Sequence, residues 1–281
     1  MLATRDLEVE KSSESVADIV LRLERVSYAY LGRHPALIDV SLSIRRGEKV
    51  VILGANGCGK STMLKIMDGL IRPDSGTILA FGEEVTHAAD DPEKARWLHR
   101  RVGLVFQDAD VQLFSPTVWD DVAFGPLQMG WGEAKVRARV NESLEAMEIA
   151  RLADRAPYEL SEGEKKRAAI ATVLALDPEL LLLDEPTANL DPRSKALLLD
   201  LIGRLVASGK TVVTTTQELE IAPILGHRAV VVGDVERRPV AEGPVEQILS
   251  DTTLLIQANL IHPRLHRSAA LPLPLAERSD G

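Results

Sequence analysis

Eight consecutive residues, Gly54-Ala55-Asn56-Gly57-Cys58-Gly59-Lys60-Ser61, follow the spacing G-x-x-x-x-G-K-[ST]. The chemistry of that spacing is phosphate binding. Gly54, Gly57 and Gly59 let backbone N–H groups turn inward around phosphate oxygens, and a helix starting near Lys60 adds the positive end of its dipole. In such a loop the Lys60 ammonium reaches the β- and γ-phosphates, the Ser61 hydroxyl supplies an oxygen to Mg²⁺, and Asn56 and Thr62 flank the nucleotide. Cys58 fits here as a small residue. Its thiol is expected to be open to alkylation, with MgATP protecting it.

Two acids complete the chemistry. Leu180-Leu181-Leu182-Leu183-Asp184-Glu185 is an apolar run ending in paired carboxylates, and side chains at the carboxyl end of a buried parallel strand emerge where open α/β sheets bind ligands. Asp184 suits a Mg²⁺ shell; Glu185 suits a base that polarises an attacking water. Between loop and acids, Ser161-Glu162-Gly163-Glu164 has the pattern of a capping box, with Ser161 as N-cap and Glu164 at the third helical position. Alone it announces only a helix.

Positioning these groups requires alternating elements. Val20 to Tyr30 and Ile38 to Ile44 read as two strands, each wet on one side. Val50 to Leu53 is a short continuous apolar run of the kind buried in a parallel sheet. Met63, Leu64, Ile66, Met67 and Leu70 recur at helical spacing after the loop. Val102 to Phe106 reads as a strand, and residues 107 to 160 are largely helical, with interruptions expected at Pro116, Pro126 and Pro157. Then come a helix from Gly163, the Leu180 strand, a helix from Pro192 to about Ala207, and strands 211–215 and 229–232. The expected fold class is therefore α/β: a mainly parallel sheet with an antiparallel β region and a helical subdomain inserted at about 108–167. A charged leader over 1–18 precedes the main domain, 19–245. An extension, 246–281, carries an amphipathic segment near Leu254 and a Pro-rich end.

Composition narrows the function classes. In 281 residues, 33 basic against 42 acidic side chains give a net charge of −9, and 45% of residues are hydrophobic. That excludes whole-chain disorder and argues against nucleic acid held on a general basic surface. No apolar run approaches the roughly 18 residues of a membrane helix, and Met1 to Glu10 has no signal-peptide core, so a cytoplasmic location is expected. The single cysteine excludes an internal disulfide.

Leu160 to Glu164, followed by Lys165-Lys166-Arg167, resembles the signature motif of ABC-type ATPases, usually written LSGGQ or LSGGE. Its order between the phosphate loop and the Asp184-Glu185 strand is that of the family, and the resemblance covers roughly residues 20 to 245. It implies that Tyr30 is the A-loop aromatic that stacks on adenine. Gln107 becomes the Q-loop glutamine serving the Mg²⁺ and water shell, and Ala188-Asn189-Leu190-Asp191 the D-loop; Asp191-Pro192 also reads as an ordinary N-cap and first helical residue. Val102 to Gln107, Asp110 to Phe114, and Pro116 to Pro126 are similar to the ATPases of energy-coupling factor (ECF) importers, cobalt/nickel group, as are Ala258-Asn259-Leu260 and Pro263. The same phenylalanines also fit a loop and helix packed on the core.

The resemblance implies a head-to-tail homodimer in which ATP on Lys60 of one subunit is covered by Ser161, Gly163 and Glu164 of the other, with Asn189 and Asp191 at the contact. It further implies a transmembrane coupling subunit, a substrate-binding membrane subunit, a peripheral position on the cytoplasmic face of the membrane, and ATP and Mg²⁺ as ligands. Asp120 and Asp121 either meet basic residues of the coupling subunit or cap a solvated helix. Two residues depart from the pattern: Gln217 stands where the family places a switch histidine, and Glu162 replaces the first signature glycine. Gln cannot carry a proton at neutral pH, so slowed hydrolysis is expected, with Glu185 essential and Gln217 still able to donate to the γ-phosphate. A vitamin-type ECF importer, a soluble ABC-type ATPase and a nucleotide-gated subunit with little hydrolysis are the alternatives. A P-loop kinase leaves the signature unexplained.

Overall fold

A computed structural model describes residues 18–262. The leader, apart from Asp18, and the Pro-rich end lie outside the described residues. Two strands, β1 (Ile19–Tyr30) and β2 (His34–Arg45), form a long antiparallel hairpin that is joined by β4 (Ser75–Ala80) and β5 (Glu83–Glu84) in the order β2-β1-β4-β5. The second sheet has the order β10-β9-β3-β8-β7-β6. It comprises β3 (Lys49–Leu53), β6 (Val102–Val105), β7 (Leu180–Asp184), β8 (Thr211–Thr216), β9 (Arg228–Val232) and β10 (Pro239–Pro244). All its pairings are parallel except β10 on β9.

The continuous apolar strands are explained by burial on both faces. Val50 and Ile52 of β3, with Leu180 and Leu182 of β7, face the core under the antiparallel sheet, whereas Val51, Leu53, Leu181 and Leu183 face the helices. Those five leucines have no solvent exposure, and burying each is worth about 1.5–3 kcal/mol relative to leaving it in water. Register decides the site. Leu53 lies opposite Thr216 and Asp184 opposite Thr215, so β3, β8 and β7 end together. The phosphate loop, Gln217 and Glu185 leave the sheet side by side.

The helices are α1 (Lys60–Met67), α2 (Pro92–His99), α3 (Val118–Gln128), α4 (Glu133–Ala146), α5 (Glu162–Leu174), α6 (Pro192–Ala207), α7 (Ala222–Leu225), α8 (Val245–Ser250) and α9 (Thr252–Gln257). Helices α3, α4 and α5 make the insert. Pro126 does not interrupt it: α3 runs through that residue, which is buried near the helix's last turn, where one hydrogen bond is lost rather than a whole ladder. The insert's expected end at 167 falls inside α5, which continues to Leu174. Val245, Ile248 and Ala258 join the same core as α5 and β7, so α8 and α9 pack as part of the main body.

Six elements escaped the sequence reading: β4, β5, β10, α2, α7 and α8. β10 carries proline at both ends and a glycine, tolerated because it is an edge strand. α2 buries only Leu98 and thus shows little apolar periodicity, although Asp91 and Pro92 form its N-cap and first residue. β4 and β5 are short and mixed in composition.

Candidate active site

The phosphate loop springs from β3 and ends at α1, whose N-cap Gly59 has φ 110°. A side chain there would be strained, and its Cβ would sit 2.4 Å from the Ala36 carbonyl oxygen. The loop forms one wall of a cleft of about 350 Å³, to which Tyr30, Asn56, Gly57, Gly59, Lys60, Ser61, Thr62, Gln107 and Glu185 all contribute. These residues come from four separate stretches of chain. The Tyr30 ring is 41% exposed, its hydroxyl hydrogen-bonds the Thr62 hydroxyl at 3.1 Å, and its edge-to-face partner is Tyr28 with centroids 5.0 Å apart. Tyr30 is thus braced by Tyr28 and Thr62 at the edge of the cleft.

Lys60 is buried. Its Nζ donates to the carbonyls of Gly54 at 2.8 Å and Ala55 at 3.2 Å, and pairs with Glu185 Oε1 at 3.2 Å. Glu185 is buried too, and its backbone, at φ 45°, occupies the left-handed region. The residue is held there by its N–H, which donates to Thr215 Oγ1 at 3.0 Å and to the Thr215 carbonyl at 3.2 Å. Strain of this kind persists only where neighbours over-determine it. Burial pushes the Glu185 carboxyl above its ordinary range, Asp184 adds to the rise, and Lys60 and the Gln217 backbone N–H oppose it. A raised carboxylate is a better proton acceptor near neutral pH.

Several expected residues sit beside the cleft rather than in its lining. Asp184 lies beneath it, accepting from Thr215 Oγ1 at 2.7 Å. Gly54 is pressed between Cys58 and β9, where a Cβ would be 2.4 Å from the Cys58 sulfur. Cys58 is fully buried in the core under the antiparallel sheet, and burial raises its thiol pKa despite Lys60. The expectation of an alkylatable loop thiol is therefore corrected: the backbone turns that side chain away from the phosphate side. The Gln217 side chain is exposed, and its backbone N–H is what reaches Glu185.

Ser161, Gly163 and Glu164 do not line the cleft, nor do Asn189 and Asp191. Ser161 and Glu164 form the reciprocal capping box, with Ser161 N–H donating to Glu164 Oε2 at 3.1 Å and Glu164 N–H to Ser161 Oγ at 3.3 Å. Arg151 braces Glu164 at 2.8 Å. Glu162 points outward and pairs with Lys165 at 3.3 Å. Asp191 caps α6 through the N–H groups of Arg193 at 3.0 Å and Ser194 at 3.1 Å, and Asn189 takes φ 64°. Asp121 is 3% exposed and accepts the N–H groups of Phe114 at 3.0 Å and Ser115 at 2.9 Å. It is a loop cap, with no face left for another subunit; the exposed Phe114 and Phe124 rings meet edge to face at 5.0 Å.

The sequence reading missed how the loop after β6 is fixed. Buried Lys166 of α5 donates to the Gln107 carbonyl. Gln112 accepts the Phe106 N–H at 3.1 Å and donates to Ala169 O and Thr172 Oγ1, both at 2.8 Å. The Gln107 backbone is thereby tied to the helix that Ser161 caps. It also missed His34, Pro35 and Ala36 from β2, and Arg237, which enters the cleft from the β9–β10 turn; no local spacing signals a contact across that distance.

Phosphate loop, a buried carboxylate pair at the strand end and a parallel sheet together define a P-loop nucleotide hydrolase with an inserted helical subdomain. The chain belongs to the ABC transporter family, whose model matches residues 37–188, and it is an ATP-binding ATPase. It is 45% identical over 263 residues to the cobalt import ATP-binding protein CbiO of Rhodobacter capsulatus, covering 92% of each chain. To the nickel import ATP-binding protein NikO of the same organism it is 43% identical over 243 residues, 85% of this chain and 94% of the other. Among solved structures it resembles the dimeric post-hydrolysis state of an ATP-binding cassette bound to ADP and Pi, with TM-score 0.71, 31% identity, and coverage of 80% and 98%.

Proposed function

We propose that this protein is the ATP-hydrolysing subunit that powers import of a transition-metal ion, cobalt or nickel, through a membrane complex, working as a head-to-tail dimer. The observation that carries the reading is a divided site. Lys60 and Glu185 meet at 3.2 Å in a cleft with Tyr30, while the capped N-terminus of α5 lies apart from it. A second copy supplies that helix end to the first copy's γ-phosphate, so ATP favours the closed pair and shifts the population toward it. The relatives' names support cobalt and nickel about equally. Recognition of the ion and the choice between metal and vitamin cargo are assigned to the membrane subunits.

Within the cleft, Lys60 exchanges its loop carbonyls for phosphate oxygens, and Glu185 accepts the proton of the attacking water. Gln107 orients that water from a backbone pinned to α5, which passes closure to the helical insert and from there to the coupling subunit. Ser61, Gln107 and Asp184 would offer the hydroxyl, amide and carboxylate oxygens that suit Mg²⁺. Bound there, Mg²⁺ supplies neutralisation of the phosphate charge. No helix among the described residues is long and apolar enough to cross a membrane; a peripheral position at the cytoplasmic face follows from the membrane partners in this reading.

The test is MgATP hydrolysis over a range of protein concentrations, with Glu185→Gln as the blank, followed by metal uptake in vesicles containing the assembled complex. Activity per subunit rises with concentration, and Glu185→Gln loses about 10²–10⁴-fold while still binding ATP. ATP binding without hydrolysis, alone or assembled, refutes the hydrolytic reading and favours a nucleotide-gated subunit, the alternative that Gln217 suggests.

A further inference from the structure

The turn between β9 and β10 holds a cation that the phosphate-loop motif does not account for. Arg237 lines the nucleotide cleft, and its Nη1 donates to the carbonyl of Gly57 within the phosphate loop, 180 residues away in sequence. Its backbone is fixed on three sides. The Arg237 N–H donates to the Gly233 carbonyl at 3.1 Å, the Ile38 N–H donates to the Arg237 carbonyl at 3.0 Å, and the Gly233 N–H closes the turn onto Arg238 at 3.0 Å. The residue has φ 55°, a left-handed conformation that glycine adopts freely and that an arginine holds only against steric resistance. Among the described residues no carboxylate lies within ion-pair distance of its guanidinium, whereas the adjacent Arg238 faces Asp39 at 4.0 Å.

We infer that Arg237 is a nucleotide-binding residue that contacts the phosphate chain of the bound nucleoside triphosphate beside the phosphate loop. One guanidinium N–H satisfies the Gly57 carbonyl, which leaves the other donors of the rigid fork available to an anion in the cleft that Arg237 lines. That places a charge-assisted hydrogen bond on the phosphates. It also explains why a position whose backbone favours glycine carries the longest cationic side chain.

The inference rests on the cleft being the ATP site, and the test separates the two. Nucleotide affinity of the full-length protein is measured by calorimetry with MgATP and MgADP for the wild type, Arg237→Lys, Arg237→Gly, Arg237→Glu and, as a control, Arg238→Ala, with the thermal midpoint of each. Arg237→Gly relieves the backbone and keeps or raises the midpoint, yet binds both nucleotides about five- to twentyfold more weakly. Affinity falls in the order Arg, Lys, Gly, Glu, following charge rather than stability, and Arg238→Ala binds as wild type. Equal affinity of wild type and Arg237→Gly overturns the inference, as does an equal loss in Arg238→Ala, which would reveal only a diffuse positive field. A wild type that binds no nucleotide overturns instead the reading of the cleft.

Discussion

Gly163 stands in the signature turn, where a partner's phosphate is expected, but within its own chain it has a second task. A Cβ added there would lie 2.8 Å from Ser194 Oγ and 2.9 Å from Ser194 Cβ, closer than nonbonded atoms pack. Helix α5 therefore rests on the first turn of α6 through a missing side chain. Gly163→Ala introduces overpacking of about 1–3 kcal/mol, set against up to about 1 kcal/mol gained from alanine's better helix propensity. The single variant thus loses on the order of 0–3 kcal/mol, a range that reaches zero and does not decide alone. Ser194→Gly removes both clashing atoms at about 1 kcal/mol of helix propensity and keeps the backbone N–H that donates to Asp191. Urea unfolding of the four proteins in a double-mutant cycle, without nucleotide, is the assay. The double variant is expected to be more stable than additivity by about 1–3 kcal/mol. A coupling below about 0.5 kcal/mol would falsify the packing argument and leave Gly163 to the partner's site alone. Stability restored without ATPase activity separates the two roles.

Three further outcomes follow from the site and its surroundings. Gln217→His, just past β8 beside Glu185, raises turnover; an unchanged turnover number refutes the expectation that Gln217 slows hydrolysis. Cys58 in the native protein resists iodoacetamide with or without MgATP and reacts on unfolding, because it is buried with its thiol pKa raised; native labelling that MgATP blocks would place the thiol in the cleft instead. Asp68 is buried at the C-cap of α1, with His99 Nε2 3.5 Å from its carboxylate, and burial holds its pKa well above the ordinary value while lowering that of His99. Since the folded pKa exceeds the unfolded value of about 4, the stability Asp68 contributes is complete below that pH and is lost as pH rises through the folded pKa. Asp68→Asn, which cannot ionise, therefore gains on the wild type as pH increases, whereas parallel stability curves rule the linkage out.

Fragments of this protein whose chemistry is local were legible from the chain alone. The phosphate loop, the leucine strand ending in Asp184 and Glu185, and the Ser161–Glu164 capping box each depend on residues a few positions apart, because a turn, a strand end or a helix cap is set by its own backbone. Pro126 misled, since a proline near a helix end costs one hydrogen bond and burial outweighs it. Tertiary structure decided the rest. Only the shared register of β3, β8 and β7 brings Lys60 to Glu185; only the path of the loop sends Cys58 into the core; only the β9–β10 turn lays Arg237 on Gly57. Such contacts join residues separated by 100 or more positions, and their geometry is set by how sheets and helices bury their apolar faces, which no short window of sequence contains.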